Sequence, residues 1–86
     1  MAKGLTLKVV TPESVYFEGS VEHVMAPGTL GYLGILKDHA PFLTTLESGK
    51  LTYRDEQGHT KAFGIQGGFL EVLKNRVLVL TDGVFG

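Results

Sequence analysis

The 86-residue chain contains no cysteine, no excess of charge of either sign and no long apolar run. Without cysteine there is no disulfide staple, no thiolate metal site and no thiol nucleophile, so a disulfide-dense secreted scaffold is excluded. Eight Lys and Arg against nine Asp and Glu leave a formal net charge of −1. That balance provides no broad positive field for nucleic acid or anionic lipid. The longest clean apolar run, Val77-Leu78-Val79-Leu80, falls far short of the ~20 residues that cross a bilayer as a helix. The opening MAKGLTLKVV has neither the apolar centre of a secretory signal nor an Arg- and Ser-rich transit segment. The length predicts one domain, residues 1–86, because domains typically take ~100–200 residues. So short a chain buries only ~60% of its unfolded surface, which demands a lean core.

What is present is glycine, β-prone residues and turn chemistry. Twelve glycines and three prolines cut the chain into short pieces, and none carries a sustained 3.6-residue apolar period. Leu5, Leu7 and Val9 alternate with Thr6 and Lys8, the period-2 pattern of a half-buried strand. Thr11-Pro12-Glu13-Ser14 turns the chain. Val15-Tyr16-Phe17 is a second strand, closed at Glu18-Gly19-Ser20, and Val21 to Ala26 a third, stopped by Pro27-Gly28. Further strands are predicted at Tyr32 to Leu36, Pro41 to Leu46, Leu51 to Arg54, Thr60 to Gln66, Phe69 to Leu73 and Arg76 to Leu80. Asp55-Glu56-Gln57-Gly58 and Lys74-Asn75 supply the turns of two hairpins. Strands at ~8–12-residue spacing predict an all-β fold, a small two-sheet antiparallel β-sandwich or flattened barrel of about 8–10 short strands.

Successive side chains of a strand point to opposite faces. Phe69-Leu70, Val72-Leu73 and Val77 to Leu80 therefore put apolar groups on both faces, while a sandwich of this size has one interior. About half of them point outward, to be covered by loops of the same chain or by a partner.

The search for chemistry is mostly empty. His23, His39 and His59 lie in three segments with no HxH or HExxH spacing, so no metal is expected. Ser14, Ser20 and Ser48 sit in turns without a GxSxG elbow. Asp38-His39 is an adjacent acid–base pair that a small enzyme would use, and it would need a cleft. Gly28-Thr29-Leu30-Gly31-Tyr32-Leu33-Gly34 is glycine-rich, but it matches neither GxGxxG nor a P-loop and precedes no helix. It reads as a turned surface loop. Five Phe and three Tyr would serve as base-stacking platforms only beside a basic groove, and the basic residues here are spread evenly. No cofactor is expected. Composition, period and spacing stop at a small all-β interaction module.

Four segments, taken in order, add a resemblance. They are Val10-Thr11-Pro12-Glu13 with Phe17 and Gly19; Val24-Met25-Ala26-Pro27-Gly28 continuing to Gly31 and Gly34-Ile35-Leu36; His39-Ala40-Pro41 with Leu43-Thr44 and Leu46; and Gly67-Gly68-Phe69-Leu70-Glu71-Val72 with Val77 to Leu80 and Asp82. Collinear from about Leu5 to Asp82, they resemble the N-terminal β-sandwich domain of the epsilon subunit of F-type ATP synthases. The resemblance implies a non-catalytic part of the central rotor stalk. Its sandwich clamps the gamma subunit, rests on the membrane c-ring and so couples proton or other ion flow to ATP synthesis.

It also implies a peripheral position on an energy-transducing membrane, at the cytoplasmic face of a bacterial inner membrane. On this likeness Thr29, Leu30, Gly31, Tyr32 and Leu33 face the c-ring, and His39, Ala40, Pro41, Leu43, Thr44 and Thr45 meet gamma. Many relatives carry an acid where Tyr32 stands, so an aromatic or hydroxyl contact would replace an ion pair there. Pro41 and Leu43 read equally as turn and core, and Gly67-Gly68 as a bulge. Typical relatives continue into a C-terminal hairpin of two helices that restrains hydrolysis and in some members binds ATP. These residues stop at Val84-Phe85-Gly86, so no ATP site is expected from them. A free-standing small-ligand β-barrel is the alternative and would require an enclosed pocket.

Overall fold

The computed structural model describes residues 4–86; Met1, Ala2 and Lys3, part of the opening segment considered above, lie outside the described residues. Nine strands are present among them: β1 (Leu5–Val10), β2 (Val15–Gly28), β3 (Gly31–Leu36), β4 (Phe42–Leu46), β5 (Gly49–Asp55), β6 (Thr60–Ile65), β7 (Gly68–Leu73), β8 (Arg76–Leu80) and β9 (Val84–Phe85). The 14-residue β2 belongs to two layers. Its first half pairs with β1, and its second half pairs with β3 and β5. One layer runs β4-β7-β8-β1 into β2, and the other runs from β3 through β2 to β5, β6 and β9.

The all-β sandwich is as expected, with differences in where strands break, turn and pair. The break expected at Glu18-Gly19-Ser20 does not occur, because Glu18, Gly19 and Ser20 pair with Lys8, Leu7 and Thr6 inside one continuous ladder. The turn expected at Pro27-Gly28 falls later, at Thr29-Leu30. Pro27 is tolerated in the strand because the β2–β5 ladder ends at Met25↔Thr52, so its missing N–H costs no pair there. The sheet is also not wholly antiparallel, since β1 lies parallel to β8 with Leu7 opposite Val77 and Val9 opposite Val79. Alternation records which face a side chain takes but carries no direction. Parallel neighbours need only a long connection, and most of the chain separates these two.

Alternation builds the core. Leu5, Leu7 and Val9 of β1 point inward with Leu70 and Val72 of β7 and Val77 and Val79 of β8, all buried. Val24, Ile35, Leu51, Tyr53, Phe63 and Ile65 face them from the other layer. Tyr16 and Phe63 pack edge to face at 5.0 Å and Phe17 lies 4.7 Å from Tyr53, so aromatic rings bridge β2 to β5 and β6. Burial is the main cause raising the Tyr53 hydroxyl above its ordinary pKa, with the charges of Asp55 and Tyr16 adding to it.

Two glycines are required by close approach. A Cβ on Gly68 (φ 129°) would collide with the Leu80 carbonyl, and one on Gly64 would occupy the space of the Phe85 ring. Gly67 and Gly68, expected as a bulge, are instead the last residue of the β6–β7 connection and the first of β7, both at positive φ, and the β4–β7 ladder carries no register shift there. Two-residue hairpin turns favour positive φ, and Lys74 (φ 51°) and Asn75 (φ 63°) supply it between β7 and β8.

The β5–β6 turn is organised by one carboxylate. Asp55 Oδ1 accepts the N–H groups of His59 (2.9 Å) and Gln57 (3.0 Å). The His59 N–H is the largest cause holding the Asp55 carboxyl below the ordinary carboxylate range. Partial desolvation opposes it, while the Gln57 N–H and the positive charges of His59 and Lys61 lower it further.

Two outcomes follow from this architecture. Val79→Asp buries an unpaired charge in the core and is expected to cost about 4 kcal/mol or more. Leu80→Asp, one residue on and facing out, should cost about 1 kcal/mol. Chemical denaturation of the two variants checks the difference, and similar losses would contradict the assigned faces. At Asp55 the folded pKa lies below the unfolded one, so the stabilisation is present above the unfolded value and is lost as pH falls through the folded value. Asp55→Asn keeps an oxygen for both N–H groups without the charge. Its melting-temperature deficit against the natural chain is expected to shrink as pH falls from about 6 to about 3, measured by circular dichroism.

Candidate docking surfaces

The strand registers give the sandwich two ends. At one end the Thr29-Leu30 turn meets the end of β4: Thr29 N–H donates to the Thr45 carbonyl (3.2 Å), the two threonine hydroxyls bond at 2.9 Å, and Glu47 N–H reaches the Pro27 carbonyl (2.8 Å). At the other end the connection between β3 and β4 meets the Lys74-Asn75 turn, where Asp38 N–H donates to Asn75 Oδ1.

The residues expected at the c-ring, Thr29, Leu30, Gly31, Tyr32 and Leu33, occupy the first end. Leu30 is 100% exposed at the tip, whereas Leu33 packs partly against the core. The Tyr32 hydroxyl donates to the Lys50 carbonyl at 2.9 Å. That hydroxyl fastens β3 across to β5, and the ring remains half exposed. The hydroxyl's proton is thus used inside the chain, while its oxygen can still accept.

The residues expected at gamma divide between the ends. His39, Ala40 and Pro41 lie at the Lys74-Asn75 end, while Thr44 and Thr45 run toward Thr29. Leu43 is not a core residue: it is 69% exposed and points outward opposite Glu71. Pro41 is exposed ahead of β4, in keeping with its turn reading. Asp38 and His39 do not form a dyad. His39 Nδ1 lies 2.7 Å from the Ala40 carbonyl and its ring meets Phe42 edge on at 5.8 Å, while the Asp38 carboxylate accepts from the Asn75 amide (3.3 Å).

The outer face of the first layer carries what the sequence foresaw only in part. Directly paired residues share a face, so Thr45, Phe69, Leu80, Val10 and Val15 form one outward row across β4, β7, β8, β1 and β2. Phe69 is 53% and Leu80 44% exposed, against 0% for Leu70 and Val79 beside them. A second row, Leu43, Glu71, Leu78, Lys8 and Glu18, mixes apolar and charged groups. The surplus of apolar residues at Phe69 to Leu73 and Val77 to Leu80 announced the centre of this face. Val10 and Val15 were not foreseen, because each alone reads as an ordinary strand residue; the β1–β2 ladder pairs them, and only the parallel β1–β8 pairing sets that pair beside Leu80. The interior that a ligand-binding barrel would leave open is filled by the buried side chains of both layers. Among the described residues no three His, Asp or Glu side chains converge as metal ligands.

Comparison with known proteins agrees with this architecture. The family described as ATP synthase, Delta/Epsilon chain, beta-sandwich domain matches residues 4–85. The ATP synthase epsilon chain of Desulfatibacillum aliphaticivorans is 46% identical over 82 residues, covering 95% of this chain and 58% of its own length. That of Anaeromyxobacter sp. strain Fw109-5 is 50% identical over 78 residues, covering 91% of this chain and 58% of its own. That of Chlorobaculum tepidum is 42% identical over 82 residues, covering 95% and 93%. This chain therefore spans little more than half the length of the first two and nearly all of the third. A chain in the cryo-EM structure of the Euglena gracilis mitochondrial ATP synthase (OSCP, F1 and c-ring in rotational state 1) superposes with TM-score 0.89 at 22% identity, over 98% of this chain and 53% of that one. At that identity the likeness speaks for the fold. With a family match that takes in every strand from β1 to β9, and epsilon-chain relatives at 42–50% identity, the chain belongs to the ATP synthase delta/epsilon family and comprises its β-sandwich domain.

Proposed function

We propose that the domain is a non-catalytic coupling block of the ATP synthase rotor, docked to the gamma subunit on one surface and to the c-ring on another. The observation that carries this reading is the outward apolar row through Phe69, Leu80, Val10 and Val15, outside a core that the chain has already filled. Contiguous exposed apolar surface of this kind marks an interaction site. A standard interface takes ~800 Å² per partner, so the contact would extend beyond this row to the β4 edge at Leu43.

Stiffness is the second requirement, because slippage between two docking surfaces would dissipate torque. Dense interior packing resists deformation, and β4 links the ends directly, from Phe42 beside His39 to Thr45 on Thr29. Leu30 at the exposed tip, with the Tyr32 ring behind it, forms the surface toward the c-ring. Such a block sits peripherally on the energy-transducing membrane, at the cytoplasmic face in a bacterium, held by protein contacts.

Purified gamma subunit should bind the natural chain. Leu80→Asp and Leu43→Asp should each weaken that binding at least about tenfold with unchanged circular dichroism, since a desolvated charge in an apolar contact costs at least ~1.4 kcal/mol. Leu30→Asp should spare gamma binding and reduce retention on c-ring-containing membranes. Full gamma affinity in both Leu80→Asp and Leu43→Asp would reject this surface.

A further inference from the structure

We propose that Asn75 is a positioning residue for the docking segment His39-Ala40-Pro41, holding it in its gamma-binding shape through a reciprocal clasp with Asp38. The inference rests on the gamma reading above, extended from the outer face to the His39–Pro41 segment that the resemblance assigns to gamma, and adds the device that presets that segment.

The segment crosses between layers. It leaves β3, which pairs only with β2, and enters β4, which pairs along its length with β7. Residues 37–41 therefore belong to no ladder, and the hold on them has to come from elsewhere. His39 N–H turns back to the Leu36 carbonyl (3.2 Å) and His39 Nδ1 stays on Ala40 (2.7 Å), both within the segment's own neighbourhood.

Asn75 supplies a tie to a distant element, 37 residues away in sequence. Its Oδ1 accepts the Asp38 N–H at 2.6 Å, and its Nδ2 donates to Asp38 Oδ1 at 3.3 Å. The Asn75 carbonyl in turn accepts the Thr6 N–H at 2.9 Å, so the clasp is anchored on β1. Both clasp residues sit in the left-handed region, Asp38 at φ 65° and Asn75 at φ 63°. Asp and Asn are among the few side chains that tolerate it. Two residues with unusual backbones, matched donor to acceptor in both directions, hold the chain immediately before His39. A segment fixed before encounter loses less freedom on binding.

The test uses the full chain and purified gamma subunit. Asn75→Gly keeps the backbone geometry and removes the amide. Asn75→Asp sets two carboxylates against each other. The double variant Asp38→Asn/Asn75→Asp exchanges the partners and rebuilds both bonds. Exchange of the amide hydrogens of residues 38–40 should speed up at least about fivefold in Asn75→Gly, which loses both bonds, and less in Asn75→Asp, where a carboxylate oxygen still accepts the Asp38 N–H and only the side-chain bond is lost, and return to normal in the double variant. The association rate with gamma should fall by a similar factor and be rescued by the same exchange, with the melting transition still cooperative. Faster amide exchange with an unchanged association rate would overturn the positioning role while leaving gamma docking intact. Unchanged amide exchange, or failure of the double variant to restore either rate, would overturn it as well. If the natural chain does not bind gamma, the docking reading fails and the proposal falls with it.

Discussion

β2 is the member on which the rest of the structure depends. Fourteen residues in one strand pair first with β1 and then with β3 and β5, so the two layers are hydrogen-bonded through a single piece of backbone. The register shift between Val21 and His23 in the β2–β5 ladder falls where the strand passes from one layer to the other. Bulges add twist and bend at such places. Val21 and Val24 are both fully buried on either side of that shift, because the extra residue realigns which side chains point inward. A strand that stayed regular would send one of these halves to the wrong face.

Once β2 has fixed the layers, the interior is filled by one face of every strand, and the second face becomes the surface on which function can be written. The first layer uses it for an apolar row, which a free-standing domain gains nothing by exposing. The ends are treated differently. Turns there are tied down by side chains (Thr29 on Thr45, Asp38 on Asn75), so segments outside the ladders are still held. The coupling role proposed above requires loops held as well as strands.

Much of the fold was legible because alternation and turn residues are local signals. Leu5, Leu7 and Val9 gave β1 its inward face, and Asp55 to Gly58 and Lys74-Asn75 gave two hairpins their turns. The illegible parts have a common cause. Whether Gly19 breaks a strand or pairs with Leu7, and whether Pro27 ends one or is tolerated, depends on which neighbour lies alongside. β9 is only Val84 and Phe85, too short for any period, and it exists because Gly64 leaves room for the Phe85 ring. At the candidate site the excess of oily residues at Phe69 to Leu73 and Val77 to Leu80 pointed to an outer face. Leu43, which reads equally as core, could be assigned only from its register against Glu71.

The amino-acid sequence by itself determined the class of fold, the inward set of most strands, the absence of cysteine chemistry and, through collinear segments, the family. Each of these rests on residue identity or on neighbours a few positions away. Only the tertiary structure decided the parallel pairing of β1 with β8, the apolar row that this pairing aligns, the separation of His39 from Thr45 at opposite ends of β4, and the clasp between Asp38 and Asn75. All four depend on contacts between residues distant in the chain, and the alternation of a single strand carries no information about the direction or identity of its neighbour.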